Sequence, residues 1–335
     1  MLATSVHTRR PGAPAEGTLS AIRAFRVSSS LGLATTLLTF ALIVIGSVVR
    51  TTGSGLACPD WPLCQGRLIP PFQLNVMIEW SHRLIALLVS LAVFAIAGWT
   101  LSRPALRPRL AGLAMLAVAL LGAQVLLGAL TVWKLLDPSV VSGHLAVAML
   151  LFLTLLSYTL VAQRGGEPVD AAVGPVRPAG LMPAFAIATG LTYLQALLGG
   201  LVSTHHAGLV CPDWPTCDGR WFPPLQGLVG LQMLHRFGAY LLTATLLVAA
   251  TLARGAPDAG VRAGARMALT LVVAQVVVGV CSVYLGAPVW LSAAHLATAV
   301  ALLALLTVTT FRIAALPAHA AAAGGGELAA GAVAR

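Results

Sequence analysis

The sequence predicts an all-α integral membrane protein of eight transmembrane helices, arranged as two four-helix bundles related by a pseudo-twofold axis. Three observations predict it. Hydrophobic residues make up 58% of the 335-residue chain and charged residues only 9%, where soluble globular domains carry about 25% charge. Eight apolar stretches reach the length of about 20 residues that spans a hydrocarbon core. Finally, Arg50 to Arg67 (RTTGSGLACPDWPLCQGR) returns as Ser203 to Arg220 (STHHAGLVCPDWPTCDGR), an offset of 153 that also carries His82-Arg83 onto His235-Arg236. Repetition at that register means that the membrane-embedded region consists of two copies of one unit.

Taken in order, residues 1–29 are polar and hold Arg9, Arg10, Pro11 and Pro14 without the short apolar core of a cleavable signal. They are read as a cytoplasmic tail. The N-terminal bundle, 30–162, contains spans near 30–49, 79–100, 110–131 and 139–162. A Pro/Gly-rich linker occupies 163–181. The C-terminal bundle, 182–312, repeats the plan with spans near 182–202, 230–253, 266–285 and 289–311, and an Ala/Gly-rich tail, 313–335, ends the chain. Four spans per half is an even number, so both copies share one orientation, with the axis along the membrane normal.

The net charge of +10 sets orientation and does not signal nucleic acid. Fourteen of the twenty basic residues fall in the tails and in the turns near 101–109, 163–181 and 254–266, against Arg50, Arg67, Lys134 and Arg220 on the other side. By the positive-inside rule both termini are cytoplasmic and the two CPDWP loops face outward. With nineteen arginines to one lysine, the composition suits a bacterial plasma membrane protein.

Histidines embedded in the spans lie only on the second and fourth helix of each half: His82 and His144, then His235 and His295. Measured from helix starts near Val76, Pro138, Gly227 and Pro288, each lies roughly 9 to 12 Å deep at 1.5 Å per residue. One layer therefore holds all four. Two imidazoles facing across a bundle can ligate one haem iron, and two halves give two such sites. Zinc is the competing metal but wants three or four protein ligands, and each layer supplies two. For a single position, an interhelical hydrogen bond is the competing reading. Odd helices carry Gln-x3-Gly at Gln124/Gly128, Gln195/Gly199 and Gln275/Gly279, with Leu42/Gly46 in the first; close helix packing with an amide bond is the reading favoured for these.

Cys58/Cys64 and Cys211/Cys217 share one spacing in the outer loops, where an oxidising compartment favours disulfides within each loop. Stapling of the loop is the plain reading, and a redox role for Cys58-Cys64 or zinc binding with His205 and His206 are the alternatives. Cys281 is expected as a small buried hydrophobe. Trp61, Trp214 and Trp221 read as interfacial aromatics.

The copies differ most sharply at Glu79, whose counterpart is Gln232. Glu79 stands three residues before His82 and projects from the same helix face, so it would sit beside a macrocycle bound there and can accept or pass a proton. Gln232 cannot. Arg83 and Arg236 follow the histidines directly, as charge-assisted partners of haem propionates or as residues snorkelling to the headgroups. Arg50, matched by Ser203, is a further contact for a substrate propionate.

These residues resemble the haem A synthase family, membrane enzymes that oxidise a methyl group of haem O to the formyl group of haem A for terminal oxidases. The resemblance covers about residues 30–312 and rests on the duplicated eight-span plan, Glu79-x-x-His82-Arg83, His144, the Cys58/Cys64 loop, His235-Arg236 and His295. It implies that His82 and His144 flank the substrate haem, that His235 and His295 ligate a resident haem b, that Glu79 is catalytic, and that Cys58/Cys64 is a functional pair. Cys211/Cys217 would mark a subclass with a second stapled loop. The implied partners are haem O, the haem O synthase that makes it, terminal oxidase assembly and the bilayer, with no nucleic acid; a homo-oligomer is compatible with the plan. A dihaem electron carrier, a haem-binding or export protein, and a thiol oxidoreductase are the alternatives from other classes.

Overall fold

The computed structural model describes residues 16–165 and 176–317. Eight long helices make up almost all of it: α1 (Glu16–Thr51), α2 (Leu74–Leu101), α3 (Arg107–Trp133), α4 (Pro138–Gln163), α5 (Leu181–Thr204), α6 (Gly227–Ala253), α7 (Ala259–Tyr284) and α8 (Val289–Ala314). All eight are long and apolar enough to cross a membrane. No strand occurs among the described residues, only the isolated bridges Cys64–Arg67 and Cys217–Arg220 in the CPDWP loops.

Local chemistry fixes several ends. The Asp137 carboxylate accepts from the Ser139 and Val140 amides at 2.9 and 3.3 Å, and Pro138 follows at the first helical position, where its missing N–H costs nothing. Asp258 caps α7 through the Val261 amide at 2.8 Å. That cap starts α7 at Ala259, about two turns before the apolar run near 266.

The first helix departs from the expected tail of 1–29. It begins at Glu16, because Ala24 and Phe25 are buried (7% and 5% exposed) in a cluster with Val93, Ile96, Leu110, Leu155 and Tyr158. Arg23 and Arg26 lower the hydropathy of this segment without interrupting the helix, so it escapes a hydropathy reading. Residues 1–15 of the expected tail, the middle of the linker and 318–335 lie outside the described residues.

Packing neighbours run round a circuit in each half: α1 against α2 and α4, α3 against α2 and α4, and likewise α5 against α6 and α8, α7 against α6 and α8. Even helices thus face each other across each circuit. The solid cores lie toward one end. In the first half Val89 to Ala97 of α2 meet Leu106 to Leu121 and Leu151 to Ala162, and the Thr100 and Tyr158 hydroxyls are hydrogen-bonded at 2.8 Å. In the second half Leu181, Phe185, Leu246, Val261, Ala268, Leu306 and Ile313 do the same work. The histidines of α2, α4, α6 and α8 lie at the other end. The halves meet through α1–α8, α4–α5 and α4–α8, where Ile43, Phe152, Leu156 and Val300 form one apolar cluster and Met149, Ala196 and Leu303 another.

Candidate functional site

Opposite those cores the helices separate around a cavity of about 1440 Å³ that runs through both halves. Typical single-ligand pockets are roughly 300–1,000 Å³, so this one has room for more than one large ligand. Its wall holds His82, His144, His235 and His295 together, with Glu79, Arg50, Gln124, Gln195 and Gln275. Among the described residues Glu79 is the one carboxylate in that wall.

Each imidazole is seated against a glycine of the neighbouring odd helix. A Cβ placed on Gly46, Gly128, Gly199 or Gly279 would lie 3.2, 3.2, 3.0 or 2.9 Å from Cε1 of His82, His144, His235 or His295 respectively. Only glycine leaves the ring that space. The glutamine four residues earlier addresses the same histidine: Gln124 Nε2 lies 3.2 Å from His144 Nε2, Gln195 Nε2 lies 3.0 Å from His235 Nδ1, and Gln275 Nε2 donates to the His295 carbonyl at 2.9 Å. The Gln-x3-Gly pattern is therefore a histidine seat as well as a packing motif. Leu42 stands in place of the glutamine on α1, and His82 Nδ1 has no hydrogen-bond partner. His144 Nδ1 and His295 Nδ1 are likewise buried without partners.

The two CPDWP loops are built alike. Disulfides join Cys58 to Cys64 and Cys211 to Cys217, with Cα atoms 4.6 and 4.8 Å apart. Inside each ring an aspartate gathers backbone amides: Asp60 accepts from Gln65 and Gly66 at 2.6 and 2.7 Å, and Asp213 from Asp218 and Gly219 at 2.8 and 3.1 Å. The Gly66 amide, helped by that of Gln65, holds the Asp60 carboxyl below its usual range. For Asp213 the Thr216 hydroxyl adds to the Gly219 and Asp218 amides and brings it down to about 2. With the sulfurs bonded to each other, neither pair has a thiolate left for zinc.

Arg83 and Arg236 hold these loops to the helices. Arg83 donates to the carbonyls of Asp60 (2.7 Å), Leu63 (2.5 Å) and Cys58 (2.8 Å). Arg236 donates to those of Asp213 (2.8 Å), Cys211 (2.8 Å) and Thr216. Both guanidinium groups also line the cavity. Glu79, 4% exposed, completes the first clamp: its Oε1 accepts from Arg83 at 2.5 Å and its Oε2 from the Cys58 amide at 2.8 Å. Gln232 instead donates to the Gly208 carbonyl at 3.2 Å, and its Oε1 is buried without a partner. Arg50 Nη1 donates to the carbonyl of Ser203, its own repeat counterpart, at 3.1 Å and so joins the two halves. Cys281, expected to be buried, is exposed, because the buried positions of α7 run from Val261 to Val272 and leave its last turns open.

A family model described as a cytochrome oxidase assembly protein, COX15-CtaA, matches residues 29–75 and 71–307. Curated relatives include a protein named "Heme A synthase" from Symbiobacterium thermophilum, 31% identical over 75% of this chain and 83% of its own. A second of that name, from Methylorubrum extorquens, is 31% identical over 86% and 87%, and a third, from Methylobacterium sp. (strain 4-46), 30% identical over 79% and 86%. The chain belongs to the haem A synthase family.

The cavity residues of this haem A synthase family member fit a haem. His235 and His295 have ring centroids 6.4 Å apart, close to the span of two metal–nitrogen bonds of about 2 Å each with half a ring at either end. His82 and His144 line the same cavity from α2 and α4. The glutamine and glycine seats, the loop clamps and the Arg50 link are what the sequence concealed. The only available signal was recurrence of the seats and clamps at matched positions in both copies; the Arg50 link does not recur, because Ser203 stands at its matched position.

Proposed function

We propose that the protein is a haem A synthase that oxidises a methyl group of haem O to a formyl group, supplying haem A to terminal oxidase assembly. One observation carries this reading: four histidines line one cavity, His235 and His295 face to face, with Glu79, the one carboxylate of that wall among the described residues, three residues before His82, in a chain of this family. His82 and His144 hold the substrate haem, and His235 and His295 hold a resident haem b. When bound, haem iron supplies the redox chemistry, for which no protein side chain is equipped.

The chain's own contribution is binding, orientation and proton handling. Carrying a methyl group through a hydroxymethyl to a hydrated aldehyde breaks one C–H bond at the substrate edge in each two-electron stage, and loss of water from the hydrate moves protons at the same edge. Glu79, one helical turn from His82, offers a carboxylate oxygen to take them. Arg83 and the Cys58 amide hold that carboxylate in a fixed orientation. Arg50 is the cation placed between the halves for a substrate carboxylate, and its bond to Ser203 orients it. Arg83 and Arg236 position the loops over the two sites. The loop disulfides staple these covers, and the charge distribution supports a position on the outer side of a bacterial plasma membrane with both termini in the cytoplasm.

The test is extraction of haem from cells that make haem O and express either the wild type or Glu79→Gln. Haem A formed by the wild type and lost in the variant, with haem b retained in both, supports the assignment. Equal haem A from both removes Glu79 from the mechanism, and none from the wild type removes the activity.

A further inference from the structure

The two copies differ where the cavity meets the outer face of the helices. On α2, Leu84 and Leu87 line the cavity yet are 39% and 55% exposed, and on the adjacent α3 Val125 lines it at 41% exposed. A side chain that is at once cavity wall and outer surface marks a gap in the wall. Ile69 of the loop above also lines the cavity and is exposed. Leu84 lies ten residues into α2, about 15 Å along the helix, so the gap opens at a depth where the surroundings are hydrocarbon.

In the second half the helix positions are filled, and only the loop position stays open, Ile69 at 73% exposed and its counterpart Phe222 at 83%. The 153-residue offset puts Phe237 and Tyr240 at the positions of Leu84 and Leu87, and Phe222 at that of Ile69. The shared Gln-x3-Gly register puts Val276 at that of Val125. Phe237, Tyr240 and Val276 are all only partly exposed. The Phe237 ring lies between Phe222 and Tyr240, with centroids 5.9 and 6.5 Å away, and the Tyr240 hydroxyl reaches the Pro215 carbonyl at 3.5 Å. Three rings thus cover α6 where two leucines leave α2 open.

We propose that the gap between α2 and α3, walled by Leu84, Leu87 and Val125, is a lateral portal from the membrane into the first-half cavity that takes the isoprenoid chain of the substrate porphyrin, and that Phe222, Phe237 and Tyr240 form the matching closure of the second half. The inference rests on the reading given under Proposed function and adds a route to it. A long isoprenoid chain partitions into hydrocarbon and is driven out of water methylene by methylene. A gap between lipid-facing helices lets the chain stay in that medium while the porphyrin turns toward His82 and His144. A substrate site has to exchange its occupant at every turnover, and a resident cofactor site has to keep it. The ring closure falls on the half assigned to the resident haem.

The test uses the full chain in phospholipid nanodiscs, mixed with vesicles carrying haem O or haem b, which lacks the isoprenoid chain, with uptake followed by absorbance. Leu84→Phe with Leu87→Tyr copies the second-half closure onto the first half. It should slow haem O uptake by about tenfold or more, leave haem b uptake within about twofold, and leave the resident haem spectrum unchanged. Val125→Phe closes the gap from α3 and should reproduce the result, so it decides the matter if the double variant does not fold. In the reciprocal variant, Phe237→Leu with Tyr240→Leu, transfer of the second-half haem to an apoglobin acceptor should quicken by about tenfold. Haem O uptake at the wild-type rate in both closed variants overturns the portal. Equal slowing of haem O and haem b overturns its assignment to the isoprenoid chain. A wild type that takes up no haem O at all defeats the functional reading itself.

Discussion

Glu79 and Gln232 occupy matched positions under matched loops, yet only one can hold a proton. Both neighbouring arginines grip three loop carbonyls, so the second half already demonstrates that glutamine is compatible with the clamp. Glu79→Gln is therefore expected to keep the first loop folded and its haem content intact while lowering haem A formation by about 10²-fold or more, the usual contribution of a general base. Glu79→Leu removes the partner of Arg83 and should in addition lower the melting temperature, since breaking a buried ion pair costs about 3–5 kcal/mol. The two loop aspartates give a pH dependence of known sign. Asp213, held down to about 2 by the Thr216 hydroxyl and the Gly219 and Asp218 amides, stabilises its loop fully above the ordinary carboxyl range. That contribution is lost as pH falls through the folded value. Amide exchange at Gly219 should accordingly quicken between about pH 4 and pH 2 in the wild type, and Asp213→Asn should abolish that dependence. At this scale the histidines, Glu79 and the cysteine pairs were legible because their chemistry is rare in a membrane span or repeats at fixed spacing. The hydrogen bonds of Arg83 and Arg236 to loop carbonyls were not, because backbone acceptors leave no mark in a sequence.

Helix pairs carry the next layer of the account. The approach of each odd helix to an even one is set by a glycine whose missing Cβ makes room for an imidazole, and in three of the four cases a glutamine one turn earlier bonds to the same histidine. Gly279→Ala is expected to displace His295, change the visible spectrum of haem in the second half and speed its loss. Gly122→Ala, where a Cβ meets nothing within 4 Å, should change neither, which separates an effect on the imidazole from a general effect on helix packing. Starts of α4, α6 and α8 were legible to within a residue or so, since Pro138, Gly227 and Pro288 punctuate apolar runs. The start of α1 was not. Its first three turns are held by burial of Ala24 and Phe25 against α2, α3 and α4, a tertiary cause that hydropathy does not register.

On the scale of the whole molecule, the proposed function gives one repeated unit two tasks with few changes. Each half packs solidly at one end and opens around two histidines at the other. The halves share a continuous cavity, crossed by the link from Arg50 to Ser203. Duplication was plain from the CPDWP loops, but a cavity common to both halves was not, because it depends on how α1, α4, α5 and α8 meet. Arg50→Met keeps the bulk of the side chain and removes its charge; it should weaken haem O binding by about tenfold, as loss of one charge-assisted bond predicts, and leave the resident haem in place. The central claim is that each half holds its haem through its own histidine pair, the second half holding it permanently. Visible spectra and haem stoichiometry of the purified wild type, His144→Ala and His295→Ala test this most directly. The account predicts haem b in the wild type, its retention in His144→Ala with loss of haem O uptake, and its loss in His295→Ala. A wild type that stays colourless when supplied with haem, or full haem b content in His295→Ala, would contradict it.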